Sequence, residues 1–329
     1  MIYGLIADIG GTNARFALAP IKPSAHALRL DESEIVEVMT LNCKKYEHIS
    51  DAIENYLSQL PEKYTRPTQA CLAIACPTED DWIQMTNHSW AFSVKELKKS
   101  LKFKVLNFIN DYHALANSIL FLGEHDSQKV GGGESIHGKP MVVTGPGTGL
   151  GLGSLVFENI HPTTVCTEGG HSSFAPDSKL ELEILSYLMD KFGRVSNERL
   201  ISGQGLENIY EALTFIRNGE ATRLTAPEIS NQALDQTDKL CEEALEVFCS
   251  VLGTFAGDAA LMYGAKGGIY IAGGIIPRFL EYFEKSKFRA SFENKARFSE
   301  YNSGIPTYVI LNDQPGLLGS AAVLNYEAH

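Results

Sequence analysis

The sequence predicts an α/β protein in which one folding unit occurs twice. Two observations carry that expectation. A β-rich run broken by a glycine turn recurs, LIADIGGTNARFALA from Leu5 and MVVTGPGTGLGLGSLVF from Met141, and strand-like and helix-like segments alternate along the rest of the chain.

In order along the chain, the first run resumes as strand after its turn and predicts a β-hairpin. HISDAIENYLSQL (48–60) has apolar residues at helical spacing. ACLAIACP (70–77) and KVLNFIND (104–111) are continuous apolar runs of strand length, the pattern of strands covered on both faces. HDSQKVGGGESIHGKP (125–140) is polar and Gly-rich and predicts a loop before the second hairpin. LELEILSYLMDKFG (180–193) and KLCEEALEVFCSVLGTFAGDAALMYG (239–264) predict helices that end at glycines, the residue best suited to a left-handed cap. The second is apolar enough to cross a core. GGIYIAGGIIPRFLEYF from Gly267 predicts a third strand and glycine turn, running from Pro277 into an amphipathic helix. NDQPGLLGSAAVL (312–324) opens with turn residues and predicts a helix that returns to the N-terminal domain. The expected division is a small α/β domain of residues 1–121 plus 313–329 and a large one of residues 122–312.

Composition narrows the function. The 329 residues are 44% hydrophobic and 21% charged, enough for a core without disulfides. A net charge of -12 provides no positive field to gather DNA or RNA, so no nucleic-acid partner is expected. The six cysteines, at 43, 71, 76, 166, 241 and 249, form no C-x-x-C pair, which argues against a zinc ribbon and for reduced thiols. There is no basic leader and no apolar run of about 18 residues, so a soluble cytoplasmic protein without a membrane partner is expected.

The glycine turns carry the first chemical signal. Bare backbone N–H groups in such turns approach an anion closely, and a neighbouring Thr or Asn adds a donor. Gly10, Gly11, Thr12 and Asn13 form one turn, and Gly145, Gly147, Thr148 and Gly149 form another. The first is neither a P-loop nor a dinucleotide fingerprint, because no Gly-Lys-Ser/Thr follows it and it continues as strand. Each turn alone is also compatible with plain hairpin geometry. Together with Gly273 and Gly274 after the third strand, they point to a nucleotide. Asp8, where the first apolar run ends, suits Mg²⁺ held through water and equally suits a turn cap.

In NFINDYHAL, Asn110 and Asp111 stand where a buried strand gives way to a helix, the place where open α/β sheets bind ligands. Asp111 fits a helix N-cap and also fits a base that takes the proton of a substrate hydroxyl. In TEGGHSSFAP, Glu168 precedes His171 across a Gly-Gly turn, and Glu198 follows in RVSNERL. Three readings remain open for this set: a solvated turn, a metal site, and a group that pairs with sugar hydroxyls, each of which donates to a carboxylate and accepts from a ring N–H.

With these residues in view, the chain resembles the bacterial glucokinases of the proteobacterial type. The resemblance rests on ADIGGTNAR (7–15), AIACP (73–77), MTNHSWAFS (85–93), FIND (108–111), GTGLG (147–151), EGGH (168–171), SNERLISGQGL (196–206), GGIYIAGGIIPRFL (267–280) and NDQPGLLGSAA (312–322), in family order. It implies the actin, hexokinase and heat-shock ATPase fold, with two ribonuclease H-like domains and an active-site cleft between them. It also implies transfer of the γ-phosphoryl group of ATP, with Mg²⁺, to the 6-hydroxyl of D-glucose, in a homodimer. By the same resemblance Asp111 is the base, and Asn110, Asp111, Glu168, His171 and Glu198 are glucose ligands. The two glycine turns bind phosphate, Gly273 and Gly274 lie near the nucleotide, and Asp8 faces the metal. Pro146, Tyr112 and Ser172-Ser173 depart from the family's pattern, and HSSFAP lacks the cysteines of the zinc-containing sugar kinases.

Three other functions compete. A transcriptional regulator needs a DNA-binding module ahead of the first strand. A ribonuclease H-like nuclease would use Asp8 and Asp111 for two metals but leaves the second turn and EGGH without a role. A non-catalytic nucleotide-binding protein would show no turnover.

Overall fold

A computed structural model of the chain describes residues 2–22, 32–158 and 161–327. They fall into two compact units, one of Met1–Glu124 with Asn312–His329, the other of His125–Leu311.

The first unit begins with β1 (Tyr3–Ile9) and β2 (Asn13–Pro20), an antiparallel hairpin, and β3 (Val36–Asn42) pairs antiparallel with β2. Then come α1 (Ile49–Ser58), β4 (Gln69–Ile74), a small hairpin of β5 (Trp82–Gln84) and β6 (Ala91–Ser93), α2 (Val94–Ser100), β7 (Val105–Asn110) and α3 (Asp111–Ser118). The sheet order is β3-β2-β1-β4-β7, with β4 and β7 parallel to β1. Leu5, Ala7 and Ile9 face a core shared with Ile53 and Leu97, while Ile6 faces the opposite one. Both faces are therefore covered, which is why Leu5, Ile6 and Ala7 are apolar without a break.

The second unit contains β8 (Ser127–Gly131), β9 (Met141–Pro146), β10 (Leu150–Glu158), β11 (His161–Thr167), α4 (Lys179–Phe192), α5 (Gly203–Asn218), α6 (Ala226–Leu234), α7 (Lys239–Tyr263) and β12 (Gly268–Ile271). After a 3-10 turn at Ile276–Phe279 follow α8 (Leu280–Lys285), α9 (Phe288–Glu293), α10 (Ser299–Ser303) and β13 (Thr307–Ile310). Its sheet order is β11-β10-β9-β12-β13-β8. As in the first sheet, two antiparallel neighbours lead on to two parallel ones. α4 and α7 stop at Gly193 and Gly264, both at positive φ, where a Cβ would strain the backbone. α7 is the one helix among the described residues long and apolar enough to cross a bilayer. Leu245, Phe248, Leu252 and Ala256 bury it in this unit's core.

The expected loop at 125–140 requires a correction. Residues Ser127–Gly131 form β8, antiparallel to β13 at the edge of the sheet. An edge strand has one flank free of pairing and tolerates polar residues such as Gln128 and Lys129, so its sequence lacks the apolar signature of an inner strand.

The last helix, α11 (Pro315–Glu327), belongs to the first unit. Leu317, Leu318 and Ala321 pack with Ile6, Ala73 and Ala114. The Ser320 hydroxyl donates to Ala7 O at 3.0 Å, and Asn325 Nδ2 donates to Pro20 O at 3.1 Å.

Candidate active site

In the first unit, the β1–β2 turn closes with Gly10 N–H donating to Asn13 O at 2.9 Å. Cys43 N–H donates to Thr12 O at 2.9 Å, so the start of the Cys43–Lys45 3-10 turn supports this loop from behind. A side chain at Gly11 would meet Asn87 O at 2.8 Å, and the Thr12 and Asn13 side chains are exposed. Asp8 shares a strand face with Ile6, towards α11. A Cβ at Gly316, in the first turn of that helix, would stand 2.7 Å from Asp8 Oδ2. Burial raises the Asp8 pKa above the usual carboxylate value, and the nearby Arg15 charge only partly offsets it. The apolar run thus ends in a carboxylate confined between a strand and a helix start.

At the end of β7 the cap of α3 is Asn110, not Asp111. Asn110 Oδ1 accepts from Tyr112 N–H at 2.9 Å and Nδ2 donates to Cys76 O at 3.3 Å. Asp111 is the first residue of the helix, and its Oδ1 also accepts from Tyr112 N–H, at 3.0 Å. A carboxylate there is favoured by the positive end of the helix. Burial, with Asp111 and Glu79 nearby, pushes the Cys76 thiol up to about 11, so it stays neutral beside that carboxylate.

In the second unit two glycine segments far apart in sequence converge. β9 and β12 are parallel neighbours, so their C-terminal ends lie side by side, and Ala272 N–H donates to Thr144 O at 2.8 Å. A Cβ at Gly145 would stand 1.9 Å from Ala272 O. One at Gly273, where φ is +91°, would stand 2.5 Å from Pro146 O. Gly147 N–H donates to Gly149 O at 2.9 Å to close the turn. Beside it lies a cavity of about 350 Å³ whose lining includes Thr148, Leu206, Pro227, Gly274, Arg278 and Phe279. Of these, only Thr148 and Gly274 are legible as site residues in the sequence. The others come from the starts of α5 and α6 and from the 3-10 turn after β12, and carry no local signature.

Glu168, His171 and Glu198 come together in the same unit. His171 Nε2 lies 3.9 Å from Glu168 Oε2, and Nδ1 lies 3.9 Å from Glu198 Oε1. The Gly169–His171 3-10 turn is held by Arg194, which donates to His171 O at 2.7 Å, and by Asn197 Nδ2, which donates to Ser172 Oγ at 2.9 Å. Glu168 and His171 are exposed, at 77% and 56% of their side chains, while Glu198 keeps 31%. The set offers two acceptors flanking a ring N–H to an incoming ligand. Among the described residues no three His, Cys, Asp or Glu side chains are grouped closely enough to hold a metal. A larger groove of about 660 Å³ beside Trp82, Trp90 and His48 touches none of the candidate residues.

A chain whose units each carry a glycine turn at a strand end, one with an Asn-Asp pair and the other with an acceptor-donor-acceptor cluster, is similar to phosphotransferases of the sugar-kinase class. The protein-family model for glucokinase matches residues 5–327. A curated glucokinase of Colwellia psychrerythraea is 46% identical, the match covering 98% of this chain and 96% of that protein. One of Salmonella schwarzengrund is 44% identical, covering 98% and 97%. The crystal structure of a glucokinase from an Antarctic psychrotroph superposes with a TM-score of 0.90 at 35% identity, over 99% of this chain and 100% of that one. The glucokinase of Balamuthia mandrillaris, solved with glucose, shares the fold at a TM-score of 0.73 and 20% identity. The chain belongs to the glucokinase family, and it is an enzyme, an ATP-dependent glucose kinase.

Proposed function

We propose that the enzyme works with Asp111 as base and with Asn110, Glu168, His171 and Glu198 as sugar ligands. Asp111 takes the proton of the glucose 6-hydroxyl as its oxygen attacks the γ-phosphorus of ATP. The bond from that phosphorus to the β–γ bridging oxygen breaks, leaving ADP and glucose 6-phosphate for glycolysis. The base need not be a strong one, because bond making to the nucleophile is slight in the transition state. Positioning therefore dominates, and the cluster of Glu168, His171 and Glu198 is the observation that carries this reading. Each carboxylate that accepts from a sugar hydroxyl discriminates against an analogue lacking it, since its desolvated oxygen is then left unpaired.

In the same reading the turns Gly10–Asn13 and Gly145–Gly149 cradle phosphates, and Gly273 and Gly274 approach the nucleotide. The cavity beside Thr148 takes the base between the apolar walls of Leu206, Pro227 and Phe279. The donor set fits Mg²⁺ as magnesium is usually held, by one or two carboxylates with water and substrate phosphates, and Asp8 is the carboxylate offered. Bound there, the ion would neutralise phosphate charge. The two units then correspond to a small and a large domain of a duplicated ribonuclease H-like fold, a reading supported by their shared strand order. Homodimer formation and a cytoplasmic site of action complete the proposal, resting on family membership and on a composition without disulfide pairing.

The test is ADP release from MgATP with D-glucose, with xylose, which lacks the 6-hydroxymethyl group, and with no sugar, for wild type and Asp111→Ala. Rapid release with glucose alone, lost in the variant, is expected. Wild-type turnover in Asp111→Ala would remove Asp111 from the base role.

A further inference from the structure

Glu198 stands where two parts of the second unit meet. It lies in the Asn197–Arg199 3-10 turn, directly ahead of α5. The Ser202 hydroxyl ties the two together, donating to Glu198 O and accepting from Gly205 N–H, both at 2.9 Å. Residues 197–205 are therefore a short, hydrogen-bonded piece with little freedom of its own.

From this piece the Glu198 carboxylate reaches in two directions. Oε1 faces His171 Nδ1 at 3.9 Å, on the side of the sugar cluster. Oε2 accepts from Leu150 N–H at 2.9 Å, the residue that leaves the glycine turn and opens β10. A second tie lies alongside, where Gly203 N–H donates to Gly147 O at 3.0 Å. The turn Gly147–Gly149 is thus held at its start by the backbone of residue 203 and just past its end by a carboxylate. Gly149 makes the second grip possible, because a Cβ there would stand 2.5 Å from Glu198 Oε2.

We infer that Glu198 is a positioning residue for the nucleotide turn as well as a sugar ligand, and that its carboxylate couples sugar occupancy to the shape of Gly147–Gly149. The sugar half of this inference rests on the function proposed above, whereas the grip on Leu150 stands on geometry alone. A hydrogen bond to a charged acceptor holds the turn more firmly than a neutral one. A sugar hydroxyl that donates to the same carboxylate restricts it further, so glucose pre-shapes the turn for phosphate and, by linkage, nucleotide favours glucose.

The test measures dissociation constants of a non-hydrolysable ATP analogue and of glucose by titration calorimetry, for full-length wild type, Glu198→Gln, Glu198→Ala and Gly149→Ala. The glutamine amide keeps a carbonyl oxygen that can accept from Leu150 N–H, and alanine keeps none. Glucose affinity is expected to fall in both Glu198 variants. Affinity for the analogue is expected to fall about threefold in Glu198→Gln, whose neutral carbonyl accepts more weakly, and about tenfold in Glu198→Ala, one hydrogen bond's worth. Gly149→Ala, which displaces the carboxylate, is expected to weaken both ligands severalfold. Analogue affinity equal in wild type, Glu198→Gln and Glu198→Ala overturns the inference, as does unchanged glucose affinity in Gly149→Ala. Unchanged glucose affinity in Glu198→Gln instead refutes the sugar-ligand reading, while the glutamine-alanine difference still reports on Leu150. Should Glu198→Ala fail to fold, Glu198→Asp replaces it, since the shorter carboxylate keeps its charge but falls short of Leu150. Its analogue affinity is expected to match that set out for alanine.

Discussion

A methyl group added at Gly10, in the first hairpin turn, would meet only Asn13 O, at 3.6 Å, an ordinary contact. One added at Gly145, where the second hairpin begins its turn, would stand 1.9 Å from Ala272 O. The first turn is backed by Cys43 alone, through its N–H to Thr12 O and a long thiol bond to Gly10 O, whereas the second is gripped by Gly203 and Glu198 and pressed against the end of β12. Similar sequence thus hides different mechanics. The first unit keeps a lightly supported turn beside its two strand-end aspartates, Asp8 and Asp111, and the second keeps a clamped turn beside the cluster of Glu168, His171 and Glu198. Under the function proposed above, this is a division of labour, in which one unit acts on the reacting atoms and the other holds what must not move.

Asp111→Ala gives the sharpest break in that division. Turnover is expected to fall by about two to four orders of magnitude, the usual contribution of a general base, with glucose affinity changed far less. Steady-state kinetics with calorimetry checks this, and a matching loss of affinity would shift Asp111 to the holding side. Next comes the pair of turns. Gly145→Ala is expected to cost about 3 kcal/mol or more of stability, because backbone must move to admit the methyl. Gly10→Ala should cost under about 1 kcal/mol. Thermal melts of the two would erase the comparison if their shifts were equal.

Asp8→Asn follows, with opposite effects on stability and turnover. Its folded pKa is raised, so at neutral pH the ionised carboxylate opposes folding, and the neutral amide should raise the melting temperature. Turnover should nevertheless drop about tenfold or more, as for groups that orient a metal's surroundings. A variant both less stable and fully active would contradict both halves.

Away from either turn, Glu211 affects stability alone. Burial alone would raise its pKa, but hydrogen bonds from Lys191 and Tyr187, with the Lys191 and Arg223 charges, hold it below the usual value. A depressed carboxylate stabilises the fold above the unfolded-state value of about 4.3 and loses that contribution as pH falls through its folded value. Glu211→Gln should therefore cost about 2 kcal/mol at pH 7 and progressively less below pH 4, by denaturant titration at both.

The hairpins, the buried strands at 70 and 105, and the helices ending at Gly193 and Gly264 were legible because each pattern repeats at the period of its own geometry. β8 was not, since an edge strand needs no apolar face. The third glycine segment leads first into a 3-10 turn and only then into the short α8, a distinction that apolar spacing does not carry. Glu168 and His171 stood out by their nearness in sequence. The cavity beside Thr148 did not, because Leu206, Pro227 and Phe279 look like ordinary apolar residues until folding gathers them. The Leu150–Glu198 bond was equally hidden, as nothing in GTGLG announces a carboxylate from 48 positions onward.

The docking of α11 onto the first sheet has a consequence for biosynthesis. Residues through Glu124 leave the ribosome first, yet Ile6, Cys71 and Ala73 wait for Leu317, Leu318 and Ala321 to cover them. The second unit, continuous from His125 to Leu311, can complete its own core during that wait. The nascent chain therefore passes through a stage in which the older half is the unfinished one, with an apolar sheet face open to chaperones. A premature stop shortly before Pro315 would leave it in that state for good.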